Sequence, residues 1–138
     1  MKDCLIIGPG PAMTYKEVYP LLRDKVLRVG VWMVVFNNQK TGPRGDWFTT
    51  LQVNRPDNKK LKLTKTYNEN EYPRFDDYPA IESTSKDIPI DYPGLVAVPI
   101  SFFKYYDYLP YEIVDKSAKL KLNGKHMFER LIIRRKQL

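Results

Sequence analysis

Residues 2–20 read KDCLIIGPGPAMTYKEVYP. Cys4 to Ile7 is a short apolar run of the kind that forms a buried strand, and Gly8-Pro9-Gly10-Pro11 punctuates it. Thr14-Tyr15-Lys16-Glu17 then matches a capping box, in which the threonine hydroxyl and the glutamate carboxylate satisfy free backbone donors of a first helical turn. A helix is therefore expected from about Tyr15 to Asp24, bent or tightened near Pro20, which has no N–H to donate. Strand, glycine loop and helix are the parts from which nucleotide-binding folds begin. The loop itself is no phosphate cradle, because a cradle points successive backbone N–H groups at its ligand and prolines have none. It also lacks the glycine spacing of dinucleotide motifs and the Gly-Lys-Ser/Thr ending of triphosphate loops. It reads as a tight strand-to-helix connection, and leaves open whether this stretch starts a cofactor-binding fold or lies in the middle of one.

Downstream, Val26 to Phe36 is rich in branched and aromatic residues and reads as a strand. Asn37 to Gly45 is a polar loop, and Asp46 to Val53 the returning strand of a long hairpin. Pro56-Asp57-Asn58 is a turn, followed by a short strand at Leu61 to Lys65. From Thr66 to Pro99 prolines interleave with aromatics, as in Tyr72-Pro73, Tyr78-Pro79 and Tyr92-Pro93. Proline discourages helix, so this is an extended, irregular connection that the tyrosines pin to a surface. Leu95 to Ile100 is a short buried strand, Ser101 to Tyr108 a helical turn and Tyr111 to Val114 another strand. Asn123-Gly124, between two alternating segments, is the strongest hairpin signal, with Lys125 to Arg135 as the closing strand. The pattern predicts a mixed α+β fold in a single domain, 1–138, divided into a first part, 1–53, and a β-rich extension, 54–138.

The chain has 138 residues, 43% of them hydrophobic and 28% charged, which suits one modest globular core. No apolar run approaches the roughly 20 residues of a membrane-spanning helix, and no secretory signal is visible, so a cytoplasmic protein with no membrane partner is expected. The single cysteine, Cys4, allows no internal disulfide, and with His126 as the single histidine a structural zinc site is excluded. The carboxylates at Asp76-Asp77, with Glu82, Asp87 and Asp91 beyond, have no metal-binding spacing, and aspartates there suit turns. No serine sits in a nucleophile elbow. No catalytic, cofactor-binding or metal residue is therefore expected in this chain.

Net charge is +7, which favours anionic partners. The excess gathers in Lys59 to Lys65, Lys119 to Lys125 and Arg130 to Lys136, each alternating or nearly so with apolar residues. Each reads as a strand with one wet, basic face: either a solvated surface or one that meets nucleic acid. On the second reading Lys59, Lys60, Lys62, Lys119, Lys121, Arg130, Arg134 and Arg135 track phosphates, and Trp47, Phe48 and the tyrosines stack on bases.

Tyr72-Pro73-Arg74-Phe75-Asp76-Asp77-Tyr78-Pro79-Ala80-Ile81-Glu82 closely resembles the tyrosine-proline-lysine-tyrosine-aspartate-asparagine-tyrosine-aspartate-alanine-isoleucine-glutamate block of EcoRI-type adenine-specific DNA methyltransferases. Lys86 to Tyr92, Val98-Pro99-Ile100-Ser101-Phe102, Trp47-Phe48-Thr49-Thr50-Leu51, Thr14-Tyr15-Lys16-Glu17 and the ending from Asn123 follow the same family in order. The resemblance implies the closing half of a methyltransferase-like Rossmann sheet, with Cys4 to Gly8 as the strand after the catalytic one. It implies a restriction-modification enzyme that uses S-adenosylmethionine, of which this is the carboxy-terminal portion. The glycine-rich cofactor loop and the Asn-Pro-Pro-Tyr/Phe motif that hold the two reactants in such enzymes are absent from the 138 residues. The chain alone is then expected to bind no cofactor and to be inactive. Its expected partners are DNA and either a missing amino-terminal half or a second copy, joined where Leu5, Ile6 and Ile7 line an open sheet edge. The alternatives are a stand-alone basic nucleic-acid-binding module and a protein-interaction domain with incidental charge.

Overall fold

A computed structural model describes residues 5–8, 13–35, 44–51, 60–106 and 109–136, with the backbone alone for 31–35 and 44–46. The Gly8 to Ala12 loop beyond Gly8, residues 37–43 of the expected Asn37 to Gly45 loop, the Pro56-Asp57-Asn58 turn, Cys4 and Lys59 lie outside the described residues, and Arg44 and Gly45 belong to a strand rather than to that loop. The fold is mixed, with several sheets and little helix. Two compact units divide the chain: Met1–Lys59 with Phe103–Asp107, and Lys60–Phe102 with Tyr108–Leu138.

In the first unit β1 (Leu5–Gly8), β2 (Arg28–Val35) and β3 (Arg44–Thr49) form a sheet of order β1-β3-β2, with β3 antiparallel to both neighbours. Val29 and Phe48 face each other in register and are both buried. Gly30 lets the strands close: a Cβ there would stand 3.1 Å from the Trp47 Cβ. The helix α1 is Tyr19–Arg23, shorter than the span from Tyr15 to Asp24 that the capping box suggests. Its N-cap is Val18, which makes no side-chain cap, and Pro20 falls in the first turn, where the missing N–H costs nothing. The chain leaves α1 through a Schellman turn, with Val26 N–H donating to Leu21 O, Lys25 N–H to Leu22 O, and Lys25 in the left-handed region at φ 61°. The Tyr106 hydroxyl donates to Arg23 O at 2.8 Å and its ring lies under the Lys25 ammonium, which ties the 103–106 segment to this exit.

In the second unit β4 (Ala80–Glu82), β5 (Leu95–Pro99), β6 (Tyr111–Ser117) and β9 (Arg130–Arg135) form a sheet of order β4-β5-β9-β6. β4 and β5 are parallel, and β9 is antiparallel to both its neighbours. β7 (Lys121–Leu122) and β8 (Lys125–His126) make a separate hairpin. Side chains alternate across a strand, so Ala80, Ala97 and Ile132 share one face, and these pack with Phe75 and Leu120 into a core that Tyr78, Leu95, Leu122 and Met127 border. Ile81, Val96, Val98, Leu131 and Ile133 alternate to the opposite face and are all buried. Residues 131–133 of β9 are thus covered on both sides, which corrects the reading of Arg130 to Lys136 as a strand with one whole face wet and basic, while Arg134, Arg135 and Lys136 remain exposed. The closing strand is also interrupted: residues 127–129 separate β8 from β9, so β9 is free to pair in the larger sheet.

Two further expectations change. Leu61 to Lys65 alternates in burial but forms no strand among the described residues; Lys65 O accepts one bond, from Ile90 N–H. The proline-rich connection hides a strand, β4, whose outer edge is covered by the chain just before it: Phe75 N–H donates to Ala80 O and Glu82 N–H to Pro73 O. Three prolines nearby and only three strand residues leave no periodicity to detect. The tyrosines do pin this segment. Tyr67 packs on Tyr72 and Tyr92 at ring distances of 5.9 and 4.6 Å, and the Tyr72 hydroxyl donates to Asp87 O at 2.6 Å. The Ser101 to Tyr108 turn is a 3-10 helix, Ile100–Lys104.

Candidate nucleic-acid interface

The β7–β8 hairpin gathers cationic side chains on a rigid base. Asn123 and Gly124 both take positive φ, 52° and 81°, as a two-residue type I′ turn requires. The Asp76 carboxylate accepts from Asn123 N–H at 3.0 Å and from Gly124 N–H at 2.8 Å. Charge-assisted bonds of this kind are among the stronger ones, so Asp76 serves as a brace for the turn. Among the described residues no group of carboxylates, histidines or cysteines could hold a metal ion. Leu122 pairs with Lys125 and Lys121 with His126, and Met127 N–H donates to Leu120 O at 2.9 Å. Leu120, Leu122 and Met127 point inward to the core, and Lys119, Lys121, His126 and Phe128 alternate outward and are exposed. Among the described residues, the Lys119, Lys121 and Lys125 side chains form no ion pair.

The arginines of β9 have internal partners. Arg130 donates to Glu82 Oε1 from Nε at 3.2 Å and from Nη2 at 3.0 Å, and its side chain is 11% exposed against 18% for Glu82. Its Nη1 also reaches Phe128 O, at 3.4 Å. Arg134 stands opposite Glu112 in the ladder and pairs with it at 2.8 Å. Arg135 donates to Ile90 O. Of the cations singled out from the sequence, the structure brings Lys119 and Lys121 together on the hairpin and sets Arg130, Arg134 and Arg135 along β9. Lys60 and Lys62 are exposed on the segment before the tyrosine cluster. Trp47 and Phe48 belong to the first unit, where Phe48 is 2% exposed and fills the sheet core, and Trp47 is half-buried.

A cavity of about 210 Å³ in the second unit is lined by Lys65, Glu71, Tyr72, Pro73, Glu82, Ser83, Thr84 and Asp87. The Thr84 hydroxyl and the Lys65 ammonium both donate to Asp87, and they hold its carboxyl below the ordinary aspartate value of 3.8. Burial pushes the Tyr72 phenol up.

Phe128, 87% exposed, is the residue that the sequence reading passed over. Its signal was present: it continues the outward alternation of Lys119, Lys121 and His126 beyond the hairpin.

Residues 37–137 match the family described as adenine-specific methyltransferase EcoRI. The chain is 30% identical over 168 residues to the Type II methyltransferase M.EcoRI of Escherichia coli, an alignment that covers 99% of this chain and 51% of that protein. It is 26% identical over 183 residues to the Type II methyltransferase M.MpnI of Mycoplasma pneumoniae, covering 99% of this chain and 57% of that one. The Type II methyltransferase M.MgeORF184P of Mycoplasma genitalium is 32% identical over 117 residues, 67% of this chain and 36% of its own length. No solved structure matches. The chain belongs to the EcoRI-type adenine-specific methyltransferase family, and it spans about half the length of the curated relatives that it matches along its whole length.

Proposed function

We propose that this chain is the carboxy-terminal portion of an S-adenosylmethionine-dependent, adenine-specific DNA methyltransferase of the restriction-modification type, and that it supplies DNA contact rather than chemistry. One observation carries the reading. The chain aligns along 99% of its length with relatives about twice as long, yet its sequence has neither the glycine-rich cofactor loop nor an Asn-Pro-Pro-Tyr/Phe motif. Methyl transfer to adenine needs the base extruded and held beside the methyl donor. These 138 residues have neither of the two motifs that do so in the family.

We assign no residue of this chain to the cofactor. The cavity near Glu82 is about 210 Å³, below the roughly 300 Å³ at which ligand pockets begin, and carboxylates form much of its wall. No step is assigned to S-adenosylmethionine here.

The first unit supports a place at the closing end of a methyltransferase-like sheet. β1 and β2 run parallel on either side of an antiparallel β3, the arrangement expected of a final strand, helix and antiparallel pair. Among the described residues β1 is an edge strand, with Leu5, Ile6 and Ile7 exposed by 56, 53 and 43%. Such an edge is a template for another strand, and the remainder of the enzyme's sheet is the occupant that this reading supplies. No described helix is long and apolar enough to cross a membrane, and the enzyme class acts on DNA in the cytoplasm. Calorimetry tests the proposal: the purified chain should take up duplex DNA and no S-adenosylmethionine, and micromolar binding of the methyl donor would overturn it.

A further inference from the structure

We infer that the β7–β8 hairpin and the turn that follows it form a DNA-docking finger, in which Phe128 stacks on a nucleobase that has left the duplex stack while Lys119 and Lys121 hold the flanking phosphates. The inference rests on the reading of the chain as the DNA-contacting part of its family and adds the contact element. A lone exposed apolar side chain is ordinary on a protein surface; the setting of this one is not. The hairpin register, extended one step past the Leu120–Met127 hydrogen bond, places Lys119 opposite Phe128. The ring therefore stands at the end of an outward row made by Lys119, Lys121 and His126, with 87% of its residue exposed.

The base under that row is braced from three sides. Asp76 accepts both turn N–H groups, Leu120, Leu122 and Met127 are anchored at the core, and Arg130 Nη1 donates to the carbonyl of Phe128 itself. Arg130 is in turn held by Glu82. The aromatic ring is thus presented on a fixed mount rather than on a loose tip. Adjacent lysines with no ion pair among the described residues disfavour an apolar or basic protein surface and favour an anionic partner. A ring among them requires that partner to have a flat apolar face as well. A nucleobase between phosphates has both, since stacking on aromatic side chains tolerates any base and lysines neutralise the backbone.

The test uses the full chain and a fluorescein-labelled duplex carrying one unpaired base, whose face is open to stacking, with anisotropy read over a series of salt concentrations. Phe128→Ala should weaken binding about 5- to 150-fold, the range for one base–aromatic stack, and leave the salt dependence unchanged. Phe128→Trp should bind like wild type. Lys119→Gln/Lys121→Gln should flatten the slope of log affinity against log salt by about 2. Because these side chains are exposed, unchanged circular dichroism is expected and checks the fold. Wild-type binding that is steeply salt-dependent, with every variant indistinguishable from it, overturns the finger and leaves the DNA-contacting role standing. A wild-type chain with no salt-dependent binding overturns that role. Phe128→Ala weakening poly-glutamate as much as DNA overturns the stacking contact.

Discussion

Arg130 looks like a phosphate contact in the sequence, yet the structure gives it an internal partner, and its replacement tests which description holds. Arg130→Met removes the guanidinium whose Nε and Nη2 both donate to Glu82 Oε1, at 3.2 and 3.0 Å. Glu82 Oε2 is already buried with no hydrogen-bond partner in the protein. The variant therefore strands a carboxylate that is 18% exposed, with both oxygens lacking protein donors. At 3.0 Å and an effective dielectric near 20, the direct attraction is about 5 kcal/mol, most of it offset by desolvation when the pair forms. Breaking a fully buried pair from one side costs about 3–5 kcal/mol; the residual exposure here lowers the expectation to about 2–4 kcal/mol. Hydrogen exchange at the Ile132 and Ile133 amides reports opening of β9. The loss corresponds to exchange roughly 30- to 900-fold faster at those sites. Arg130→Met/Glu82→Leu should recover most of the protection, because an apolar pair removes the stranded charge. The salt slope of DNA binding should not change in Arg130→Met. Exchange within threefold of wild type, or a flattened salt slope with the fold intact, would refute the internal role.

Asp76→Ala should abolish exchange protection at Asn123 and Gly124 and weaken DNA binding although no cation is removed; retained protection sinks the brace. The Asp87 carboxyl, with its proton affinity lowered by Thr84 and then Lys65, contributes stability that is present above the ordinary aspartate range and is lost as pH falls through its own lower value. Its carboxyl carbon should titrate below 3.8, and Thr84→Val should raise the midpoint; no change on that substitution contradicts the assignment. The isolated chain should associate through β1, where reburied apolar surface contributes about 25 cal/mol per Å². Ile6→Lys should shift it toward monomer in light scattering, and a wild-type monomer at all concentrations counts against an open edge.

What could be read from the sequence was local. Asn123-Gly124 announced its turn because only residues that tolerate positive φ suit both positions, and 52° and 81° are what they adopt. Val26 to Phe36 announced a strand through branched side chains. The family resemblance is borne out by the match over residues 37–137. Pairing at a distance was not legible. Nothing near Arg130 in the chain shows that Glu82, 48 positions earlier, takes its charge, so the Arg130, Arg134 and Arg135 run looked like a free basic face. The capping box suggested a helix beginning at Tyr15, but Pro20 moved the start to Tyr19 because it fits the first turn best. Leu5, Ile6 and Ile7 read as a buried strand by composition and as an open edge by the family resemblance, and they are exposed, because burial depends on neighbours that composition does not show.

Methyl transfer measured beside DNA binding, in the same tubes, addresses the central claim most directly. Purified chain, duplex DNA containing adenine and S-adenosylmethionine with a radiolabelled methyl group are incubated together at low salt. The account predicts a retained protein–DNA complex with no label in the DNA. Label transferred to adenine by this chain alone would contradict it.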